Sequence, residues 1–123
     1  MARTFEPVYG SVQTTNAVQT VIKTYTLVDA CVAEVEAWVV AKRPDNADCK
    51  RFRRISGAKR TSGGGAVEYG VPEDVVLPSG DATLATASIA LDVSGNTVRC
   101  LVTGVALTTI DWDCRLNVYT YQP

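Results

Sequence analysis

The stretch from Cys31 to Arg43 reads CVAEVEAWVVAKR and alternates between apolar and polar positions. Its odd-numbered positions from 31 to 41 are all apolar, whereas Glu34, Glu36 and Lys42 fall on even-numbered positions. A period of two is typical of a β-strand with one face in a core and one face in water, and a helix here would have no apolar stripe. The pattern therefore predicts a long strand at the centre of the fold.

Composition limits the size and class of the protein. The chain has 123 residues, of which 46% are hydrophobic, so it is long enough for one domain with a core and too short for two ordinary ones. Twelve basic and thirteen acidic side chains leave a formal charge of −1, which favours neither nucleic acid nor an anionic membrane as a partner. The first residues, MARTFEPVYG, lack the basic start and apolar stretch of a signal peptide, so we expect synthesis in the cytoplasm.

Further strand signals lie on both sides of the central stretch, with turn-forming residues about every ten positions. They cover residues 17–28, 50–61, 66–69, 71–77, 85–93, 97–103 and 111–118. No segment has a helical period. We predict an all-β fold of about seven or eight strands, an antiparallel β-sandwich or jelly-roll-like barrel, over residues 17–123. Its predicted core residues are Val35, Val39, Ile89, Leu91, Val98, Val102, Trp112 and Leu116.

Residues 1–16 have apolar side chains that are too sparse for a regular buried face, and they include Pro7 and Gly10. We predict an extended N-terminal arm with at most one short edge strand. Phe5 and Tyr9 need a surface to lie on, which is either the core of the same domain or a partner protein.

The strand after the central one is unusually basic. It holds six of the twelve basic residues, namely Lys50, Arg51, Arg53, Arg54, Lys59 and Arg60. Antiparallel pairing about the loop at residues 43–48 predicts Lys59 or Arg60 near Glu34. Only Phe52 offers a stacking ring in this strand, so we expect a solvated, ion-paired sheet face and no nucleic-acid surface.

The last third of the chain predicts a hairpin at Ser94-Gly95-Asn96, in which odd positions before the turn oppose even positions after it. Symmetric pairing about Leu107 then places Cys100 opposite Cys114. A disulfide across two paired strands has poor geometry, so we predict two packed thiols.

The chain lacks the usual catalytic constellations: it has no histidine, no CxxC spacing and no glycine-rich nucleotide loop. Asp111 and Asp113 lie on the same side of one predicted strand, and a polar outer face explains them as well as an acid–base pair does. Asp45 and Asp48 are two acids in a turn, which seldom makes a calcium site. We expect no enzyme activity, no metal and no cofactor.

Three segments stand in order along the chain: VEAWVVAKRPDNAD (Val35–Asp48), LDVSGNTVRCLVTG (Leu91–Gly104) and TTIDWDCRLNVY (Thr108–Tyr119). They resemble a β-module that recurs in tailed-bacteriophage virion proteins, often at the ends of tail-fibre or other appendage chains. SGNT, VTG and TTI-W share the intervals of the module, whereas Cys100 and Cys114 replace ordinary apolar or small residues. The resemblance implies an all-β virion component with no catalytic residues to carry over.

In fibre proteins the module is usually appended to a longer chain, whereas here only a short arm precedes it. We therefore expect a capsid decoration protein, of the cement or head-spike kind, in the virion. It would dock on the major capsid protein through Arg3, Phe5 and Tyr9 and form a homo-oligomer through its sheet edges. The symmetry positions of an icosahedral shell favour a trimer, and monomers and other closed rings are the alternatives.

Two other classes stay open. One is a tail- or fibre-associated adhesion module that contacts appendage proteins and binds host-surface glycan through exposed aromatic residues such as Trp38, Tyr69, Tyr119 and Tyr121. The other is a glycan-binding domain unrelated to viruses. Copy number per particle separates a shell location from a tail location.

Overall fold

A computed structural model describes residues 2–122, which form eight β-strands and one short 3-10 turn at Ala82–Leu84. The strands in chain order are β1 (Ala2–Thr14), β2 (Gln19–Thr26), β3 (Cys31–Lys42), β4 (Cys49–Arg60), β5 (Ala66–Gly80), β6 (Ser88–Ser94), β7 (Thr97–Thr103) and β8 (Ile110–Gln122). A five-stranded sheet has the order β1-β8-β3-β4-β5, and a three-stranded sheet has the order β2-β7-β6. All pairings are antiparallel, which confirms the all-β, sandwich-like fold.

Strand β3 lies in the middle of the five-stranded sheet, between β8 and β4. Its odd-numbered side chains, from Cys31 to Ala41, are all buried against the three-stranded sheet. Its even-numbered side chains point away from the core, as the alternation in the sequence predicts.

The core lies between the two sheets and includes every predicted core residue, with Ile89 only partly buried. Trp112 is the largest fully buried side chain, and its ring stacks on Phe52 with 5.9 Å between the ring centroids. The indole N–H of Trp112 donates to the Thr14 hydroxyl at 2.8 Å, so the polar edge of the ring also has a partner inside the core.

The predicted hairpin between β6 and β7 is confirmed. Leu91 pairs with Cys100, so odd positions oppose even ones across a two-residue turn, and Gly95 takes a positive φ of 58° in that turn. In β2 the register shifts between Val21 and Lys23, which explains why residues 17–28 show no clean alternation.

The prediction for residues 1–16 is wrong in its detail. These residues do not form an arm with a short edge strand: Ala2–Thr14 is a strand of 13 residues that pairs with β8 along its whole length. Its apolar side chains are sparse because β1 is an edge strand, and only the inward positions Val8 and Val12 pack on the core. Gly10 lets β1 approach β2, since a Cβ there would overlap the Ile22 carbonyl oxygen.

The pairing predicted about Leu107 is also wrong. Strands β7 and β8 belong to different sheets, because the connector at residues 104–109 carries the chain across the sandwich. Cys100 and Cys114 still meet, now across the core, as buried free thiols. A hydrogen bond with Cys114 and burial raise the pKa of the Cys100 thiol far above its ordinary value, so it stays protonated.

Strand β5 differs from the two short strands at residues 66–69 and 71–77 that the sequence predicts. It is one edge strand of 15 residues, and its register against β4 shifts at three places. These bulges absorb the extra residues, and Gly70 adopts a positive φ of 72° at one of them. Pro72 and Pro78 lie within the strand, and residues 73–80 are exposed.

Candidate protein interface

The outer face of the five-stranded sheet is the side that points away from the three-stranded sheet. It carries six of the nine aromatic residues of the chain: Phe5, Tyr9, Trp38, Tyr69, Tyr119 and Tyr121. No other part of residues 2–122 packs over this face. Tyrosine, tryptophan and arginine are the residues that dominate the centres of protein interfaces, so this composition is typical of a contact surface.

Strand β1 brings the predicted contact residues Arg3, Phe5 and Tyr9 onto this outer face, because alternate residues of a strand share one side. Phe5 is 50% exposed and Tyr9 is 60% exposed. Phe5 lies against Tyr119 of β8, with 4.9 Å between ring centroids and 41° between the ring planes. Phe5 and Tyr9 therefore belong to the outer face of the domain itself and not to a separate arm.

Trp38 is the centre of a polar cluster on the same face. Its indole N–H donates to Glu36, and the Arg53 guanidinium lies 4.2 Å from the ring centroid. Arg53 also forms an ion pair with Glu36 at 3.0 Å. Burial opposes the ionisation of Glu36, but hydrogen bonds from Trp38, Arg53 and Asn117 outweigh it and hold the pKa of this carboxyl below its ordinary value.

Tyr69 lies flat across Gly57, where a Cβ would overlap the tyrosine ring. Its hydroxyl donates to the Ala33 carbonyl at 3.2 Å and lies 3.4 Å from a Glu34 carboxylate oxygen. Burial and the charge of Glu34 raise the pKa of Tyr69 above its ordinary value. The ring thus replaces the side chain that Gly57 lacks and continues the outer face onto β5.

A groove of about 300 Å³ opens on the outer face between residues of β3, β4 and β5, and we call it the Trp38 groove. Trp38 and Val40 of β3 and Arg51 and Arg53 of β4 line one side, and Val76 and Leu77 of β5 form the opposite wall. Arg51 has no acidic partner within residues 2–122, and Leu77 is 80% exposed. The sequence did not indicate this groove, because its far wall depends on the bulged path of β5.

The basic strand β4 divides its charges between the two faces. Lys50 points inward and donates to the carbonyls of Ala85 and Ala87, both at 2.8 Å. The predicted pairing near Glu34 is wrong, because the register places Gly57 there, with Lys59 opposite Val32. Within the sheet β4 has two acidic neighbours: Glu36 of β3 pairs with Arg53, and Asp74 of β5 pairs with Arg54.

The remaining acidic candidates are the two exposed residues of β8 and the two residues of the loop between β3 and β4. Asp111 and Asp113 are exposed, and Asp111 accepts a hydrogen bond from the Gln13 amide at 2.8 Å. Asp45 pairs with Arg43, and Asp48 accepts from Thr83, so both serve loop structure. Within residues 2–122 no group of three potential ligands is arranged to hold a metal, and no helix is long and apolar enough to cross a membrane.

Comparison with known proteins identifies a similar fold. No protein-family model matches the chain, and no curated protein matches it in sequence. Among solved structures it is similar to part of the tailspike protein of Acinetobacter baumannii phage AM24, with a TM-score of 0.53 and 11% identity. The match covers 94% of this chain and 26% of the tailspike chain. At this identity the likeness shows a shared fold, and it supports the phage β-module resemblance at that coarse level.

Proposed function

We propose that this protein is a non-enzymatic structural component of a tailed-phage virion that binds other virion proteins through the outer face of its five-stranded sheet. The observation that carries the proposal is the exposed face itself, with Phe5, Tyr9 and Tyr119 in one group and Trp38 and Arg53 in another. Two further observations support it: the sequence resembles the phage β-module, and the fold is similar to part of a phage tailspike.

Within the virion we propose a tail or appendage location, because the similar structure is a tailspike in which the matched region is 26% of the chain. The expected partners are then appendage proteins. Capsid decoration, with the major capsid protein as partner, is the second candidate. The observation that favours it is that Arg3, Phe5 and Tyr9 share one exposed face, as docking on a shell requires.

Packing within the outer face fixes the orientation of its aromatic rings. On this surface Arg53 covers one side of Trp38, Gly57 lies against Tyr69, and Phe5 packs on Tyr119. Anchors of this kind are typical of the fixed, desolvated centre of a protein interface.

The test is incorporation into particles. Phages that carry Phe5→Ala with Tyr9→Ala in this chain are purified, and the copies per particle are counted by quantitative mass spectrometry. We expect about tenfold less of the variant than of the wild type, since truncating interface anchors typically costs more than 1 kcal/mol each. The matched control is Val18→Ala with Val21→Ala, which truncates two exposed apolar side chains, one just before β2 and one within it, in the region of the three-stranded sheet and away from the proposed surface.

Full incorporation of the Phe5 and Tyr9 variant would contradict the proposed surface. Absence of the wild-type chain from purified particles would contradict the virion role. Hundreds of copies per particle would indicate the shell and a handful would indicate the tail, and labelling of the chain on imaged particles separates the two locations directly.

A further inference from the structure

The wall of the Trp38 groove formed by β5 has an unusual character. Between Pro72 and Pro78 this strand is exposed on both sides, and Leu77 presents 80% of its surface to solvent beside the groove that it lines. We propose that this region is the interface of a two-fold symmetric dimer, in which Leu77 of each copy occupies the Trp38 groove of the other. The proposal concerns the purified protein and is independent of its role in a virion.

Strand addition is not the mode of association at this edge. The register of β5 shifts three times, and Pro72 and Pro78 have no amide hydrogen to offer a neighbouring strand. Bulges of this kind redirect side chains away from the regular alternation. Leu77 lies at one such shift, between Val76, which pairs with Arg53, and Ser79, which pairs with Arg51. The strand therefore offers a side chain, and not its backbone, to a partner.

Charge complementarity identifies a second copy as the occupant. Arg51 lines the groove, and Glu73 lies on the opposite wall strand; neither has an ion-pair partner within the described residues 2–122. Glu73 and Ser79 are equally far from Val76 along β5, and Ser79 pairs with Arg51. In the proposed dimer the two-fold axis passes at Val76, so that Glu73 of one copy lies level with Ser79 of the other, beside Arg51, and the symmetry repeats this pair of charges.

The same patch supplies both the inserted side chain and the groove. An interface in which each copy uses an identical surface is isologous and closes at two copies. A trimeric ring would need two different patches, one for the inserted side chain and one for the groove. The geometry thus selects a dimer for this contact.

Sedimentation equilibrium of the purified chain tests the proposal. We expect a concentration-dependent monomer–dimer equilibrium, in which Arg51→Glu and Glu73→Arg each weaken the dimer by about tenfold or more, because each places like charges together. The double variant R51E/E73R restores the attraction with the charges exchanged and should recover most of the wild-type affinity. Leu77→Glu should abolish the dimer, and Leu107→Glu, at a connector residue that is 100% exposed, should leave it unchanged.

Three results would overturn the proposal: a monomer at every concentration, a dimer that L77E leaves intact, or a double variant R51E/E73R that associates no better than either single one. A closed trimer would overturn it as well. All of the substituted residues are exposed, so circular dichroism spectra that match the wild type verify that each variant is folded before its association is measured.

Discussion

At the scale of single residues, the hydrogen bond between Trp112 and Thr14 joins the largest core side chain to the edge strand β1. Both residues are buried, so the indole N–H has no access to water if the hydroxyl is lost. Thr14→Val keeps the shape and removes the acceptor, and we expect it to lower the free energy of unfolding by about 1–3 kcal/mol. Urea denaturation measures the loss. Thr14→Ser retains the acceptor and should lose less, and an equal loss in both variants would contradict this role.

Glu36 makes the outer face sensitive to acid. Its pKa is lower in the folded protein than the ordinary value of 4.5, so its carboxylate stabilises the fold above that value and the contribution disappears as the pH falls through the lowered pKa. We expect the free energy of unfolding to fall in this acidic range, and to fall less in Glu36→Gln, which cannot titrate. Denaturation curves from neutral pH to about pH 3 compare the two proteins. Parallel pH profiles would show that Glu36 makes no net contribution.

At the scale of elements, Gly57 and Tyr69 connect β4 to β5. An alanine at position 57 would overlap the Tyr69 ring, so Gly57→Ala should destabilise the protein by about 1–3 kcal/mol through overpacking. In a Tyr69→Ala background the same change meets open space and should be neutral or stabilising, since glycine weakens a strand. A double-mutant cycle measures this coupling, and additive effects would contradict the contact.

The elements that the sequence predicts well are those whose signal is local. The alternation of β3 and the turn at Gly95 each lie within about ten residues, and so both strand faces and the β6–β7 register follow from the sequence. The full length of β1 is not predictable from local signals, because its pairing with β8 joins the two ends of the chain. The sequence predicts two short strands in place of β5, because the bulges of this strand interrupt the alternation. The apolar residues on the two sides of Leu107 alternate in the same way whether the turn joins two paired strands of one sheet or connects two different sheets. The sequence therefore does not reveal that β7 and β8 lie in different sheets.

The candidate interface was predictable only in part for the same reason. Exposure of Trp38 follows from the alternation along β3, whereas the sequence leaves Phe5 and Tyr9 either on the core of the domain or on a partner. Their presence on one face depends on the strand order β1-β8-β3, which the sequence does not reveal without long-range pairing. The ion pair between Glu36 and Arg53 depends on a hairpin register that differs from the predicted one.

At the scale of the whole molecule, β1 is part of the domain and not a detachable anchor. It completes the five-stranded sheet, packs on β2 at Gly10 and supplies Thr14 to Trp112. We expect deletion of residues 2–14 to leave β8 unpaired on one side and to prevent cooperative folding at room temperature. Far-UV circular dichroism and thermal unfolding test this, with the F5A/Y9A variant as a folded control. A stable, cooperatively folded deletion variant would contradict it.

The prolines within both edge strands of the five-stranded sheet affect how neighbouring molecules associate at high concentration. Pro7 interrupts one outermost strand, and Pro72 and Pro78 interrupt the other. Neighbouring molecules therefore cannot join main chain to main chain in an unbroken ladder, which is the route by which β-rich proteins polymerise into amyloid-like fibrils. A protein built in this way can accumulate to high local concentration and still meet its neighbours only through side chains.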